Sequence, residues 1–376
     1  MKFLKRFNEE LDPSTYRSAA DKILAGEGRE RDGESREYRA TALNKFANTR
    51  ENRTLLYYAF DWDDNILRMP TEIMVQAEIK PTEKGAKRKL TEIGMSTADF
   101  AKHRSKIGKE HFEYNGHTVV GLDYNVAFRN FRDDADDTIF KTDVIRALNL
   151  GDRKAPAWNK FIKCLTEGSF FAIITARGHE PESIRKGIEY IIDNVLDDDQ
   201  TQEMYNNLLK FAHLFKIADV DSLPRILNGV ASENLLVKNY LDLCEPHLVG
   251  VSATTRGGSP ANPEEAKVSA LTDFIDDVNM HVRDLNAITM ASSASDKMPY
   301  IAKVGFSDDD PGNIKHMTHA ILNHEKLWSD WEFISKVVII DTNKEENVVK
   351  TSIPTTREPR MVEHRNIKGF GDFYGK

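Results

Sequence analysis

Leu55-Leu56-Tyr57-Tyr58-Ala59-Phe60-Asp61-Trp62-Asp63-Asp64-Asn65 is the stretch on which the fold turns. An apolar run without alternation is the pattern of a strand covered on both faces, as in the middle of a parallel sheet. In open sheets of parallel strands ligands bind outside the carboxyl ends, so the aspartates that follow the run stand where chemistry is done. Side chains alternate along extended chain, which points Asp61 and Asp63 to the same side.

The same apolar pattern recurs at 170–174, 247–251, 300–306 and 337–340. Helical patterns separate most of these runs. Trp158, Phe161, Ile162 and Leu165 form one apolar face that ends at Gly168, and Ile184, Ile188 and Ile191 form another after Pro181. Strands alternating with helices predict an α/β fold, a doubly wound and mainly parallel sheet.

Around this core the texture changes. Residues 1–53 are highly charged and predict a helical N-terminal extension, its first helix starting at Asp12-Pro13 and its second covering 35–48. That segment resembles leading segments of proteins from large tailed phages. Residues 54–350 are expected to hold the core, with a cap inserted at about 70–155. Within the cap, Ile73, Val75, Ala77 and Ile79 alternate like a half-exposed strand, Asn115-Gly116 reads as a hairpin turn, and Ser96 with Asp99 predicts the start of a short helix. A further helical insertion is expected over 200–245, and 351–376 as a basic, loosely ordered tail.

Composition narrows the classes. At 376 residues and 40% apolar, the chain can bury a sizeable core, and its net charge of −8 argues against wrapping duplex nucleic acid by bulk electrostatics. Its two cysteines, Cys164 and Cys244, lack CxxC spacing, so neither a disulfide framework nor a zinc site is expected; a reducing cytosol fits, the host's if the source is viral. Glu9, Glu10 and Asp12 interrupt the start before a signal peptide's apolar segment could develop, and no run approaches the roughly 18 apolar residues that span a bilayer. No membrane partner is expected.

A second acidic cluster, Ser307-Asp308-Asp309-Asp310, follows the run at 300–306 as Asp61 and Asp63 follow the first. If the two strands are neighbours, their carboxylates converge, and that much like charge must be offset by a cation or by raised pKa values. Hard oxygen ligands favour Mg²⁺, which commonly shares a substrate phosphate, and phosphoryl chemistry follows. Thr175 and Arg177, after the run at 170–174, could hold that phosphate, and Lys267 could stabilise both it and an aspartate. Two plainer readings of the first cluster are a solvated acidic turn and a calcium loop, but in the latter Ile66 stands where glycine is required and no bidentate glutamate follows at the right distance.

Other groups read as ordinary structure. The acidic runs at 133–137 and 197–199 look like solvated loops, Phe128, Phe131 and Trp158 like core, and His103, His117 and His179 show no ligand spacing, although His179 could touch a substrate held near Thr175. Residues 80–109 carry nine Lys or Arg against Glu83, Glu92 and Asp99, either a solvated exterior or a positive rim that steers an anionic substrate.

Taken together, these motifs resemble the haloacid dehalogenase-like (HAD) superfamily over about 54–345. The resemblance implies that Asp61 is the nucleophile that becomes an aspartyl-phosphate and also binds Mg²⁺. It implies that Asp63 is the general acid and base, with its backbone carbonyl on the metal, and that Thr175 is the second motif's hydroxyl. Lys267 would be the third motif's lysine, with Lys297 and Lys303 as alternatives, and Asp308 and Asp309 the fourth motif's acidic pair, Asp308 the direct ligand. Asn65, where threonine is commoner, and Arg177 are expected at the substrate. The implied activity is a Mg²⁺-dependent phosphomonoesterase acting on a nucleotide, a nucleic-acid end or a small metabolite, the basic residues Arg357, Arg360, Arg365 and Lys368 adding to the case for nucleic acid. The rival is a non-catalytic interaction protein that uses such a core as a scaffold and docks through 1–53.

Overall fold

In a computed structural model, two sheets are formed by the described residues, which are 53–79, 89–133, 138–215, 233–253, 263–291, 298–327, 329–343, 348–355 and 363–367. β1 (Thr54–Phe60) leads into β2 (Glu72–Ile79), β3 (Lys89–Ser96), α1 (Thr97–His103), β4 (Phe112–Tyr114), β5 (His117–Gly121) and α2 (Tyr124–Ala127). The chain returns through α3 (Ile139–Asn149) and α4 (Trp158–Thr166) to β6 (Phe171–Thr175), then continues with α5 (Pro181–Asn194), α6 (Asp198–Phe215), α7 (Glu233–Cys244) and β7 (Leu248–Gly250). α8 (Pro263–Ala291), β8 (Ile301–Asp308), α9 (Pro311–Leu322), β9 (Ile334–Asp341), β10 (Val348–Pro354) and β11 (Glu363–Ile367) complete the order.

The large sheet runs β11-β10-β9-β8-β1-β6-β7. Its five adjacent strands from β9 to β7 are parallel, and they are the five apolar runs of the sequence. Both faces of β1 are covered: Tyr57, Tyr58, Ala59 and Phe60 are all buried in one continuous hydrophobic cluster. Helices supply that cover with the faces their periodicity predicts, Trp158, Phe161, Ile162 and Leu165 from α4 and Ile184, Ile188 and Ile191 from α5. From β1 the chain winds outward through β6 and β7, then crosses back along α8 to β8 on the other side of β1. The border between β1 and β8 is therefore the sheet's topological switch point, where the connections diverge and a crevice opens at the carboxyl ends.

Residues between β1 and β6 build a separate antiparallel sheet, ordered β3-β2-β5-β4, with small hydrophobic clusters of its own. Ile73, Val75 and Ala77 are its buried side, as their alternation predicts. Asn115 (φ 50°) and Gly116 (φ 78°) make the tight turn between β4 and β5 in the left-handed region that this residue pair tolerates. Ser96 Oγ accepts from the Asp99 N–H at 3.1 Å and caps α1. α3 falls within the expected cap yet packs on α5 and buries Phe140, Val144 and Ala147 in the large cluster, so it belongs to the helical layer of the main sheet.

The segment read as a loosely ordered tail from 351 begins inside β10, and 363–367 forms β11; both extend the main sheet, antiparallel at its edge. The strand pattern there is short and carries charged residues, which suits an edge strand. The expected helices of 1–53 lie outside the described residues, as do Arg357, Arg360 and Lys368, part of the basic stretch at 80–109, and 216–232 between α6 and α7. Among the described residues no helix is long and apolar enough to cross a membrane.

Candidate active site at the carboxyl ends of β1 and β8

Past Phe60 the backbone stays in register with β8 for one more residue, the Asp61 N–H donating to the Ser307 carbonyl at 2.8 Å. Trp62 then drops into the core, its ring 4.9 Å from that of Phe140 and 5.9 Å from that of Phe161. That anchor holds Asp61 and Asp63 on the opposite side, facing the crevice. Asp64 turns the chain with φ 53°, a conformation that aspartate adopts more readily than most residues.

Asn65 is placed differently from the expectation of a substrate contact. Its side chain is fully buried and ties strand ends together: Nδ2 donates to the Asp61 carbonyl (2.9 Å), the Ser307 carbonyl (3.2 Å) and Ser307 Oγ (2.9 Å), and Oδ1 accepts from Thr342 Oγ1 (2.9 Å) just past β9. A side chain with every valence used inside the protein has none left for a ligand. Asn65 is thus a clamp across β1, β8 and the end of β9, and its Thr342 partner is a residue that the polar-after-strand rule could have found after the run at 337–340.

Lys267, in the first turns of α8, reaches into the gap between β1 and β8. Its ammonium donates to Asp61 Oδ1 at 3.0 Å and to Asp308 Oδ2 at 2.7 Å, and the side chain is 2% exposed. Burial opposes its charge, but the carboxylates of Asp308 and Asp61 outweigh that and hold its pKa up. Of the alternatives, Lys303 sits mid-strand on β8 beside Lys336 of β9, and Lys297 lies outside the described residues. Asp308 also accepts from the Asp310 N–H at 2.9 Å and from Asn313 Nδ2 at 3.1 and 3.2 Å.

Asp61, Asp308 and Asp309 each offer an oxygen within 4.8 Å of the others. One ammonium cannot balance three carboxylates. Burial drives the Asp61 carboxyl well above the usual range, the Lys267 charge pulls against it, and the charges of Asp308, Asp309 and Asp63 push it further up. Asp309 is pushed up to about 8, first by burial and then by the charges of Asp308 and Asp64. Such a set fits a hard divalent cation, which would offset the negative charge gathered there. The Asp63 carboxylate is not in this group.

Asp63 instead faces Arg177, at the turn after β6. Nε donates to Asp63 Oδ2 and Nη2 to Oδ1, both at 2.7 Å, a bidentate pair with the guanidinium 1% exposed. Nη2 also donates to Thr71 Oγ1 at 2.8 Å, and Nη1 lies 3.5 Å from His179 Nε2. The guanidinium lies 4.6 Å from the centre of the Phe131 ring. Arg177 lines the crevice, but its donors are taken by protein groups rather than left open for substrate. Thr175 is buried at the end of β6, its Oγ1 3.5 Å from Asp63 Oδ2.

Behind Arg177, His179 is fully buried with Nδ1 2.8 Å from Asp133 Oδ1, and the second oxygen of Asp133 accepts from the Glu180 N–H at 2.7 Å. Asp133 is thereby a bonded residue rather than part of a solvated acidic run, and His179 stands behind the crevice, not in it. Neither partnership has a signal in the sequence, because the two residues are 46 apart and meet only through the fold.

The crevice is a cavity of about 980 Å³ between the ends of the main sheet and the inserted sheet. Asp61, Asp63, Asp308, Asp309, Arg177 and Lys267 lie on its main-sheet side. Asp64 Oδ2 accepts from Thr97 Oγ1 at 3.0 Å, linking that side to the start of α1. Thr71, Thr97, Asn313 and Thr342 are the site residues that sequence reasoning missed. No family model matches the chain, and no curated protein or solved structure matches it either.

Proposed function

We propose that this chain is a Mg²⁺-dependent phosphohydrolase of phosphate monoesters, with Asp61 as its nucleophile. The observation that carries the reading is the Lys267 ammonium bridging Asp61 and Asp308, with Asp309 beside them, at the switch point between β1 and β8. The chain order of Asp61 and Asp63, Thr175, Lys267, and Asp308 with Asp309, which resembles the HAD superfamily, agrees with it.

Asp61, Asp308 and Asp309 would hold the cation, which when bound supplies charge neutralisation at the substrate's phosphate oxygens. An oxygen of Asp61 attacks phosphorus in line; the new O–P bond forms as the ester O–P bond breaks, and the leaving oxygen takes a proton from Asp63. Water then attacks the aspartyl-phosphate at phosphorus, its proton passing to Asp63 as Asp61 and inorganic phosphate are released. The sum is one ester and one water giving one alcohol and one phosphate. Lys267 holds the Asp61 oxygen in place and offsets charge gathering on the transferred group. Arg177 engages both oxygens of Asp63, so the proton transfers require the incoming phosphate to draw the guanidinium from at least one of them.

Release of inorganic phosphate from p-nitrophenyl phosphate, with and without Mg²⁺, tests the reading. The wild-type chain should turn over only with the cation, and Asp61→Asn should lose at least about a thousandfold of that rate, the scale of removing a nucleophile. An Asp61→Asn protein with full cation-dependent activity would overturn it.

A further inference from the structure

One wall of the cavity has no role in the chemistry just described. From the inserted part of the chain, Phe100 of α1, Tyr124 of α2 and Phe128 line the same space as the carboxylates. The rings touch one another: Phe100 and Phe128 meet edge to face with centroids 5.8 Å apart, and Tyr124 and Phe128 lie 6.3 Å apart at 30°. Phe128 leans in turn on Phe131 at 6.0 Å, a fully packed neighbour in the small cluster with Ile73 and Ala127. Of the three aromatic residues read as core, Phe131 and Trp158 are buried and Phe128 is half-buried against the small cluster, whereas Tyr124 is 69% exposed.

An exposed tyrosine on a half-buried phenylalanine, backed by a buried third ring, is a surface suited to stacking. A stray apolar patch would not need to face a catalytic crevice. Arg104 and Arg132 line the same cavity and form no ion pair with the described residues. The floor therefore suits a phosphate with its cation, the wall a flat ring, and the two arginines further anionic or hydrogen-bonding groups on the same ligand. At about 980 Å³ the cavity is at the upper end of the roughly 300–1,000 Å³ of small-ligand sites. A glycerol-sized ester would fill only a small part of that volume.

We infer that Phe100, Tyr124 and Phe128 form a leaving-group subsite that stacks the base of a nucleotide, whose phosphomonoester is then presented to Asp61. This inference rests on the phosphohydrolase reading and adds the class of alcohol released, a nucleoside or the terminal nucleotide of a short strand. Those two sources share the chemistry of the wall and differ in what lies beyond it.

The test compares kcat/KM for adenosine monophosphate, glycerol phosphate, O-phosphotyrosine and a 5′-phosphorylated tetranucleotide with full-length wild-type and Tyr124→Ala proteins in Mg²⁺. A stacked base is worth about 1–3 kcal/mol, or roughly 5- to 150-fold, so the nucleotide should exceed glycerol phosphate by about tenfold or more and Tyr124→Ala should collapse that ratio. The tetranucleotide arm assigns the source: faster turnover than the mononucleotide means a strand end, slower turnover a free nucleotide. Equal turnover of glycerol phosphate and nucleotide, a ratio unmoved in Tyr124→Ala, or preference for O-phosphotyrosine overturns the subsite.

Should no ester be hydrolysed, the catalytic reading fails on its own. Calorimetric binding of adenosine monophosphate against glycerol phosphate, to wild type and Tyr124→Ala, then decides the subsite without turnover. A nucleotide preference that the variant abolishes supports it, and no preference removes it.

Discussion

Lys267 is the residue on which the site's electrostatics rest. Among the described residues its ammonium is the one positive charge paired with both Asp61 and Asp308, at 3.0 and 2.7 Å. Removing one partner of a buried charge group costs about 3–5 kcal/mol, since the others stay behind unpaired. Lys267→Gln should therefore lower Tm strongly in EDTA. MgCl₂ should raise Tm in both proteins, and more in the variant, because the carboxylates it meets there are uncompensated. If neither Tm responds to Mg²⁺, no cation binds Asp61, Asp308 and Asp309. At this scale the sequence was informative where a residue's position follows from its own strand: Asp61, Asp63, Thr175 and Asp308 all stand at strand ends. It was uninformative for Asn65, whose neighbours come from β8 and β9.

Among the elements, the turn that carries Arg177 and His179 is held by β7. A Cβ built on Gly250 would lie 2.2 Å from the His179 carbonyl oxygen and 2.9 Å from that of Arg177. Both are backbone atoms, which cannot swing aside. Gly250→Ala should push the turn outward, costing about 1–3 kcal/mol as an overpacked contact and weakening the grip of Arg177 on Asp63. Chemical denaturation and Mg²⁺-dependent phosphate release should both show the loss. Gly116→Ala is the comparison: its φ of 78° penalises the turn between β4 and β5, but nothing lies within 4 Å and activity should survive. A wild-type denaturation midpoint in Gly250→Ala would show that this packing does not hold the turn. The elements themselves were legible, since five apolar runs became five parallel strands. The exceptions include β10 and β11: β10 runs past 351 into the expected tail, and Glu363 to Ile367 of β11 include two charged residues and lack the continuous apolar pattern of the central strands.

For the molecule as a whole, the bonds among the described residues that fasten the inserted segment to the main sheet include the Gly178 N–H to the Phe131 carbonyl, Thr97 to Asp64, Arg177 to Thr71, and His179 to Asp133. The last is sensitive to pH. Burial lowers the His179 pKa below its ordinary value of 6.5, and Asp133 only partly opposes that. Below 6.5 the unfolded chain therefore takes up a proton that the folded one refuses, and stability falls as pH drops from there towards the folded pKa. The slope reaches about 1.4 kcal/mol per pH unit between the two values. The raised carboxyls of Asp61 and Asp309 act in the opposite sense, gaining stability as pH falls. The contribution of His179 is hence read as a difference: Tm from pH 7.5 to 5.5 should fall more steeply in wild type than in His179→Gln. Parallel curves would mean that His179 does not titrate differently on folding.

Periodicity and run length by themselves determined the α/β class, the five central strands and the acidic residues at two of their ends. Those features depend on which side chains a strand or helix must bury, a property carried by neighbours in the chain. The strand order was not available that way. Only the crossing along α8, which sets β8 against β1, brings Asp308 and Asp309 to Asp61 and lets Lys267 sit between them. The same holds for the pairing of Arg177 with Asp63, for Asp133 behind His179, and for the aromatic wall lining the same cavity as the carboxylates. Each joins residues far apart in sequence, and such contacts are decided by how packed layers meet, because local pattern specifies what must be buried but not what will be found on the other side.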